Sequence, residues 1–185
     1  RAAMGQIALG YPGTYTRYNG LTQLGKRVGI CMFESSKIPE IWTEQLRYLD
    51  AVITPSTFGK EIFEKAGVTA PIHVIPLGLK PIFQPAERDP NRPLTFLSFI
   101  DRGLRKGGIE AMRAFQMAFG DDMNYRLILK GRTSKITAEI LNPNIELIQR
   151  DMTDEELYQL YLSADVMIFS TKGEGWGWPC REFAG

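Results

Sequence analysis

Short apolar runs alternate with amphipathic stretches along nearly the whole chain, and this alternation most restricts what the chain can fold into. A run of four to seven apolar residues followed by a 3.6-residue periodicity, several times over, is the pattern of parallel α/β structure. Arg27–Phe33 (RVGICMF), Ala51–Thr54 (AVIT) and Ile72–Ile75 (IHVI) read as strands. Pro39 falls where a first helical turn tolerates it, and Ile38, Trp42, Leu46 and Leu49 follow at helical spacing. Ser56 can cap a second helix whose stripe is Phe58, Ile62, Phe63 and Ala66, with Gly67 at its end.

The alternation then stops. Between 76 and 93 the chain carries Pro76, Pro81, Pro85, Pro90 and Pro93, a density that forbids a helix or a central strand. Beyond it the pattern resumes with Leu94–Ile100 (LTFLSFI), a helix with Ile109, Met112, Phe115 and Phe119 on one face, Tyr125–Leu129 and Ile145–Ile148. Thr153 with Glu156 has capping-box spacing before a helix bearing Leu157, Leu160, Tyr161 and Ala164, and Val166–Phe169 is a last strand. The expected division is 1–80, a linker at 81–93, and 94–185.

Composition narrows the function classes. The 185 residues are 44% hydrophobic and 23% charged, too apolar for disorder. Lys plus Arg number 22 against 21 Asp plus Glu, without the excess a general nucleic-acid binder needs, so no nucleic-acid partner is expected. Cys31 and Cys180 lack metal-ligand spacing, and a single histidine, His73, excludes most zinc sites. Two such thiols fit a reducing compartment, and no run approaches a membrane span or a signal-peptide apolar core, so a cytoplasmic location is expected. A first residue Arg1 and a last residue Gly185 inside a helical pattern suggest a fragment.

Ligands of open parallel sheets bind beyond the carboxyl ends of the strands, and two loops there stand out. Asp101-Arg-Gly-Leu-Arg-Lys-Gly-Gly108 places three cations beside three glycines just ahead of a helix. Glycine lets backbone N–H groups approach an anion, the helix start adds partial positive charge, and Arg or Lys supplies charged hydrogen bonds; a solvated basic turn has the same composition. In the second loop, Glu174 and Glu182 are separated by seven residues, Gly-Trp-Gly-Trp-Pro-Cys-Arg. Gly175 and Gly177 open the backbone, Pro179 suits a first helical position, and Glu182 falls in the first turn. Two carboxylates so placed can accept hydrogen bonds from a polyhydroxylated ligand while loop N–H groups face a phosphate. A solvated surface turn is the plainer alternative, against which Trp176 and Trp178 weigh.

This second loop resembles the E-x7-E element of retaining glycosyltransferases of the two-domain GT-B architecture, glycosyltransferase family 4 in particular. DAVITPSTFGKEIFEKAG and PIHVIPLGLKPIFQP resemble that family's interdomain passage, Glu34-Ser-Ser-Lys-Ile-Pro39 its E-[ST]-x-K-I-P segment, and Arg105-Lys106-Gly107 with Ala114-Phe115 its R-K-G…A-F element. Asp154-Glu-Glu-Leu157, Tyr161 and Ala164-Asp165 precede the glutamate loop as they do there. The resemblance implies two Rossmann-like parallel-sheet domains, the end of an acceptor-side domain in 1–80 and the start of a nucleotide-sugar domain in 94–185. It implies transfer of a sugar from a nucleoside-diphosphate sugar to a carbohydrate, lipid or protein acceptor, with retention of configuration and no metal or other cofactor. A full-length protein of this kind is compatible with membrane association.

Residue by residue, the resemblance gives Glu182 the ribose and gives Glu174, with the backbone of Gly175, Trp176 and Gly177, the donor sugar. Lys106 and an arginine would bind the diphosphate, and Arg102 and Arg105 both fit the arginine. The isolated fragment is expected to be inactive. A non-catalytic module keeping the fold and the donor pocket is the alternative reading; an NAD-dependent Rossmann enzyme is disfavoured because no G-x-G-x-x-G follows a strand.

Overall fold

The computed structural model describes residues 5–10, 25–84, 87, 89–100, 105–132 and 142–184. By their contacts they form two compact units, one of residues 1–78 with 174–176, the other of 79–173 with 177–185.

The first unit carries β1 (Gly5–Leu9), β2 (Lys26–Ile30), α1 (Glu40–Leu46), β3 (Ala51–Thr54), α2 (Thr57–Lys65) and β4 (Ile72–Val74). Its strands pair in the order β1-β2-β3-β4, all parallel. Cys31, Leu46, Val52 and Phe63 are fully buried in its core, with Ala8 and Val68 around them. The Ser56 hydroxyl accepts from the Gly59 N–H at 3.1 Å and caps α2, and Gly67 follows the helix with φ +80°. His73 lies exposed on the edge strand β4.

The second unit carries β5 (Leu94–Phe99), α3 (Gly108–Phe119), β6 (Tyr125–Gly131), β7 (Ile145–Gln149), α4 (Asp154–Leu162), β8 (Val166–Met167) and α5 (Trp178–Ala184). The strand order is β7-β6-β5-β8, again all parallel. Both faces of this sheet are covered, which is why β6 is buried almost throughout. Residues alternate between the faces. Ile100, Phe115, Leu127, Leu129 and Ile145 pack together beneath α3, while Leu97 and Ile128 face Leu160 and Tyr161 of α4 and Ala164 just beyond it. The two parallel α/β sheets are those the alternation predicts.

From Leu79 onward the described residues of the proline-rich passage belong to the second unit. Phe83, 3% exposed, sits edge-on to Tyr161 with ring centroids 5.6 Å apart. The Lys80 ammonium is hydrogen-bonded to Asp154, which raises its pKa above the usual lysine value. Arg92 makes a two-pronged contact with Asp165, at 2.7 and 3.0 Å, and also donates to the Ser163 carbonyl at 2.7 Å.

Several element boundaries differ from those expected. β1 carries no sequence signal strong enough to predict it. β2 ends at Ile30 although the apolar run continues, and Phe33 beyond it lies edge-on to Trp42, ring centroids 5.2 Å apart. Pro39 occupies the N-cap of α1 and not its first turn, and Phe58 is half exposed in the first turn of α2. β8 pairs over only two residues, although the Ile168 N–H still reaches the Leu97 carbonyl at 2.8 Å.

The Thr153–Glu156 box forms as its spacing predicts. The Thr153 hydroxyl accepts from the Glu156 N–H at 3.2 Å and the Glu156 carboxylate accepts from the Thr153 N–H at 2.8 Å. That bond, with the Arg150 guanidinium nearby, holds the Glu156 carboxyl below its usual pKa. Thr153→Ala should lower stability by about 1 kcal/mol, read as a shift in the urea midpoint at constant slope.

Candidate functional site

The strand order of the second sheet locates the site. The chain runs from β5 outward through β6 to β7, then returns to lay β8 on the other side of β5. The order therefore reverses between β5 and β8, and at such a reversal open α/β sheets bind ligands beyond the carboxyl ends of the strands. The loop after β5 is the basic glycine loop and the loop after β8 is the glutamate loop. Arg105–Gly107 of the first are neighbours of Ser170–Gly173 of the second.

Their contact is built on main-chain carbonyls, which accept from one N–H and two side chains. One Arg105 guanidinium nitrogen donates to the Gly173 carbonyl at 2.8 Å, and the Lys172 N–H donates to the Arg105 carbonyl at 2.8 Å. The Ser170 hydroxyl donates to the Gly107 carbonyl at 2.7 Å. Lys172 reaches over to Glu110 in the first turn of α3 at 2.7 Å and holds the Glu110 carboxyl below its usual pKa.

Two glycines make this close approach feasible. Gly107 is the N-cap of α3 with φ +70°, and a Cβ there would fall 2.1 Å from the Ser170 carbonyl oxygen. At Gly108 a Cβ would come within 1.8 Å of Ile100 Cγ2. Gly107 has no side chain with which to cap α3, and the helix start carries partial positive charge beside Arg105 and Lys106.

The expected site residues distribute as follows. Arg105 and Lys106 are half-buried at the start of α3, and Gly177 is buried with φ +74° just before α5. Arg102, the other candidate arginine, lies outside the described residues. Glu182 stands in the second turn of α5 and not the first, because the helix begins at Trp178, one residue before Pro179. Arg105, Lys106, Gly177 and Glu182 belong to the second unit, whereas Glu174, Gly175 and Trp176 group by their contacts with the first.

One participant was not foreseen. The Tyr161 hydroxyl donates to Glu182 Oε2 at 2.8 Å. Burial, and then that hydrogen bond to a carboxylate, push the phenol far above its usual pKa, so it stays a neutral donor. Tyr161 reads in sequence as one more residue on the apolar face of α4, and nothing local marks its hydroxyl as a partner of a glutamate 21 positions away.

No family model matches the chain. Among curated proteins it is similar to an MMP alpha-(1->4)-mannosyltransferase of Mycolicibacterium hassiacum, 27% identical over 172 residues that cover 90% of this chain and 38% of the relative. The chain thus spans well under half the length of the curated relative it matches. Among solved structures it resembles an alpha,alpha-trehalose-phosphate synthase (UDP-forming) from Burkholderia xenovorans in complex with glucose-6-phosphate, with a TM-score of 0.76, 12% identity, and coverage of 99% of this chain and 56% of that one. An E. coli trehalose-6-phosphate protein bound with UDP-2-fluoro glucose gives a TM-score of 0.74 at 12% identity, covering 99% of this chain and 56% of that one. A mutant of S. aureus TarM in complex with fondaparinux, alpha-GlcNAc-glycerol and UDP gives 0.73 at 11% identity, covering 96% and 39%. At these identities the likeness speaks for the fold. The two parallel-sheet units carry the fold of the GT-B glycosyltransferases.

Proposed function

We propose that the chain is part of a glycosyltransferase that moves a sugar from a nucleoside-diphosphate sugar to an acceptor with retention of anomeric configuration, as in glycosyltransferase family 4. The observation that carries this reading is the meeting of the basic loop and the glutamate loop on either side of the strand-order reversal. The cations and the N-terminal end of α3 would receive the diphosphate there. As the bond to the sugar breaks, negative charge grows on the departing nucleoside diphosphate, and Lys106 with Arg105 or Arg102 would stabilise it. Such fixed cations do the work of a divalent ion, so the reaction is read as metal-independent. Glu182 would accept from the ribose, while Glu174 and the Gly175–Gly177 backbone would contact the donor sugar. The mannosyltransferase similarity and the UDP-bound neighbours support a nucleotide-sugar donor. We place the protein in the cytoplasm, where such donors are made.

Lys106→Ala should weaken UDP or GDP binding by about 1.5–3 kcal/mol, roughly ten- to a hundredfold, measured by isothermal titration. Unchanged affinity would move the diphosphate elsewhere. Because the chain covers only 38% of the mannosyltransferase, the 185 residues alone are expected to bind donor with little transfer. A transfer assay on the chain and on the full-length protein, with the product's anomeric configuration read by NMR, tests this. Inversion, or binding without transfer by the full-length protein, would contradict the reading.

A further inference from the structure

We propose that Tyr161 is a positioning residue whose hydroxyl holds one oxygen of the Glu182 carboxylate so that the other, Oε1, is presented to a ribose hydroxyl of the bound nucleotide. This rests on the reading of Glu182 as the ribose acceptor, and adds how that carboxylate is aimed.

The Tyr161 ring is fixed from three directions. Phe83, Phe99 and Phe183 lie at centroid distances of 5.6, 6.3 and 6.0 Å, and the residue is 4% exposed. A ring so enclosed cannot swing its hydroxyl away from Glu182 Oε2, 2.8 Å distant. The glutamate side chain, by contrast, has three rotatable torsions and is only half-buried. It stands on α5 (Trp178–Ala184). Tyr161 supplies two of its tethers, the ring against Phe183 and the hydroxyl on Glu182.

A carboxylate accepts at both oxygens, so occupying Oε2 leaves Oε1 for a donor such as a sugar hydroxyl. Freezing the side chain beforehand removes an ordering cost that nucleotide binding would otherwise carry. Lys80 also attracts the Glu182 charge, but its ammonium is hydrogen-bonded to Asp154 and does not set the direction of the carboxylate.

Tyr161→Phe keeps the ring contacts and deletes only the donor. Binding of UDP and GDP, and of their 2′-deoxy and 3′-deoxy counterparts, is to be measured by isothermal titration for the wild-type chain, Tyr161→Phe, Glu182→Ala and the double variant. The wild type should prefer the ribonucleotide over one deoxy form by about tenfold or more. In Tyr161→Phe that preference should fall to about threefold or less, with deoxynucleotide affinity little changed. Adding Tyr161→Phe to Glu182→Ala should then change nothing further, because the tyrosine acts through the glutamate. A preference unchanged in Tyr161→Phe, an equal loss for ribo and deoxy forms, or a further loss in the double variant would overturn the proposal. If the wild type binds neither UDP nor GDP, or does not discriminate among the sugars, the reading of the Glu182 site itself fails and takes this proposal with it.

Discussion

Gly107→Ala should cost about 2–5 kcal/mol of stability and, in whatever fraction folds, reduce nucleotide affinity by roughly a hundredfold. The first part of the cost is conformational: alanine at φ +70° occupies the left-handed region, at about 1–2 kcal/mol. The second is steric. The new methyl would lie 2.1 Å from the Ser170 carbonyl oxygen and 2.7 Å from its carbonyl carbon, and backbone at a strand exit cannot rotate away as a long side chain can. Overpacking of this kind adds about 1–3 kcal/mol. Relief requires the two loops to part, which breaks the Ser170–Gly107 hydrogen bond and displaces the start of α3. A helix start so displaced loses charged hydrogen bonding to the nucleotide worth about 1.5–3 kcal/mol, up to roughly a hundredfold in affinity. Urea unfolding with isothermal titration measures both effects; wild-type values for Gly107→Ala would show that the loops do not meet as described.

Asp165→Ala should be comparably damaging to stability, by about 3 kcal/mol, for a different reason. The Asp165 side chain is only 4% exposed and serves three donors: two Arg92 nitrogens and the Thr95 N–H at 2.8 Å. Arg92 is 23% exposed and keeps the Ser163 carbonyl, so removing the carboxylate takes the charged partner from a largely desolvated guanidinium and this acceptor from the buried Thr95 N–H. Asp165→Asn, which keeps an acceptor oxygen, should fall between the two. Thermal unfolding of the three proteins gives the order, and an alanine variant as stable as the wild type would refute the argument. The contact fastens the end of the proline-rich passage to the turn between α4 and β8, and through the Thr95 N–H to β5.

Local rules made much of the fold legible. Ser56, Gly67, Gly120 and the Thr153–Glu156 box each act at a helix end as their chemistry predicts, because capping depends on residues only a few positions apart. Strand ends were less legible, since a ladder ends where its neighbour ends. The apolar run at 27–33 leaves the sheet at Ile30, but Cys31 still donates to the Ile53 carbonyl at 2.8 Å and stays buried. The site was legible in its parts, as loops rich in glycine, cations and carboxylates. What sequence could not supply was the strand order that makes those loops neighbours, or the tyrosine that reaches Glu182 from another helix.

The central claim, that a nucleotide diphosphate binds where the loops leave β5 and β8, is tested most directly by titrating UDP and GDP into the 15N-labelled chain and following its backbone amide resonances. The largest shifts should fall on Gly107–Glu110 and Thr171–Gly177, and Lys106→Ala should weaken them at every ligand concentration below saturation. Shifts concentrated on β1 to β4, or none with either nucleotide, would contradict the account.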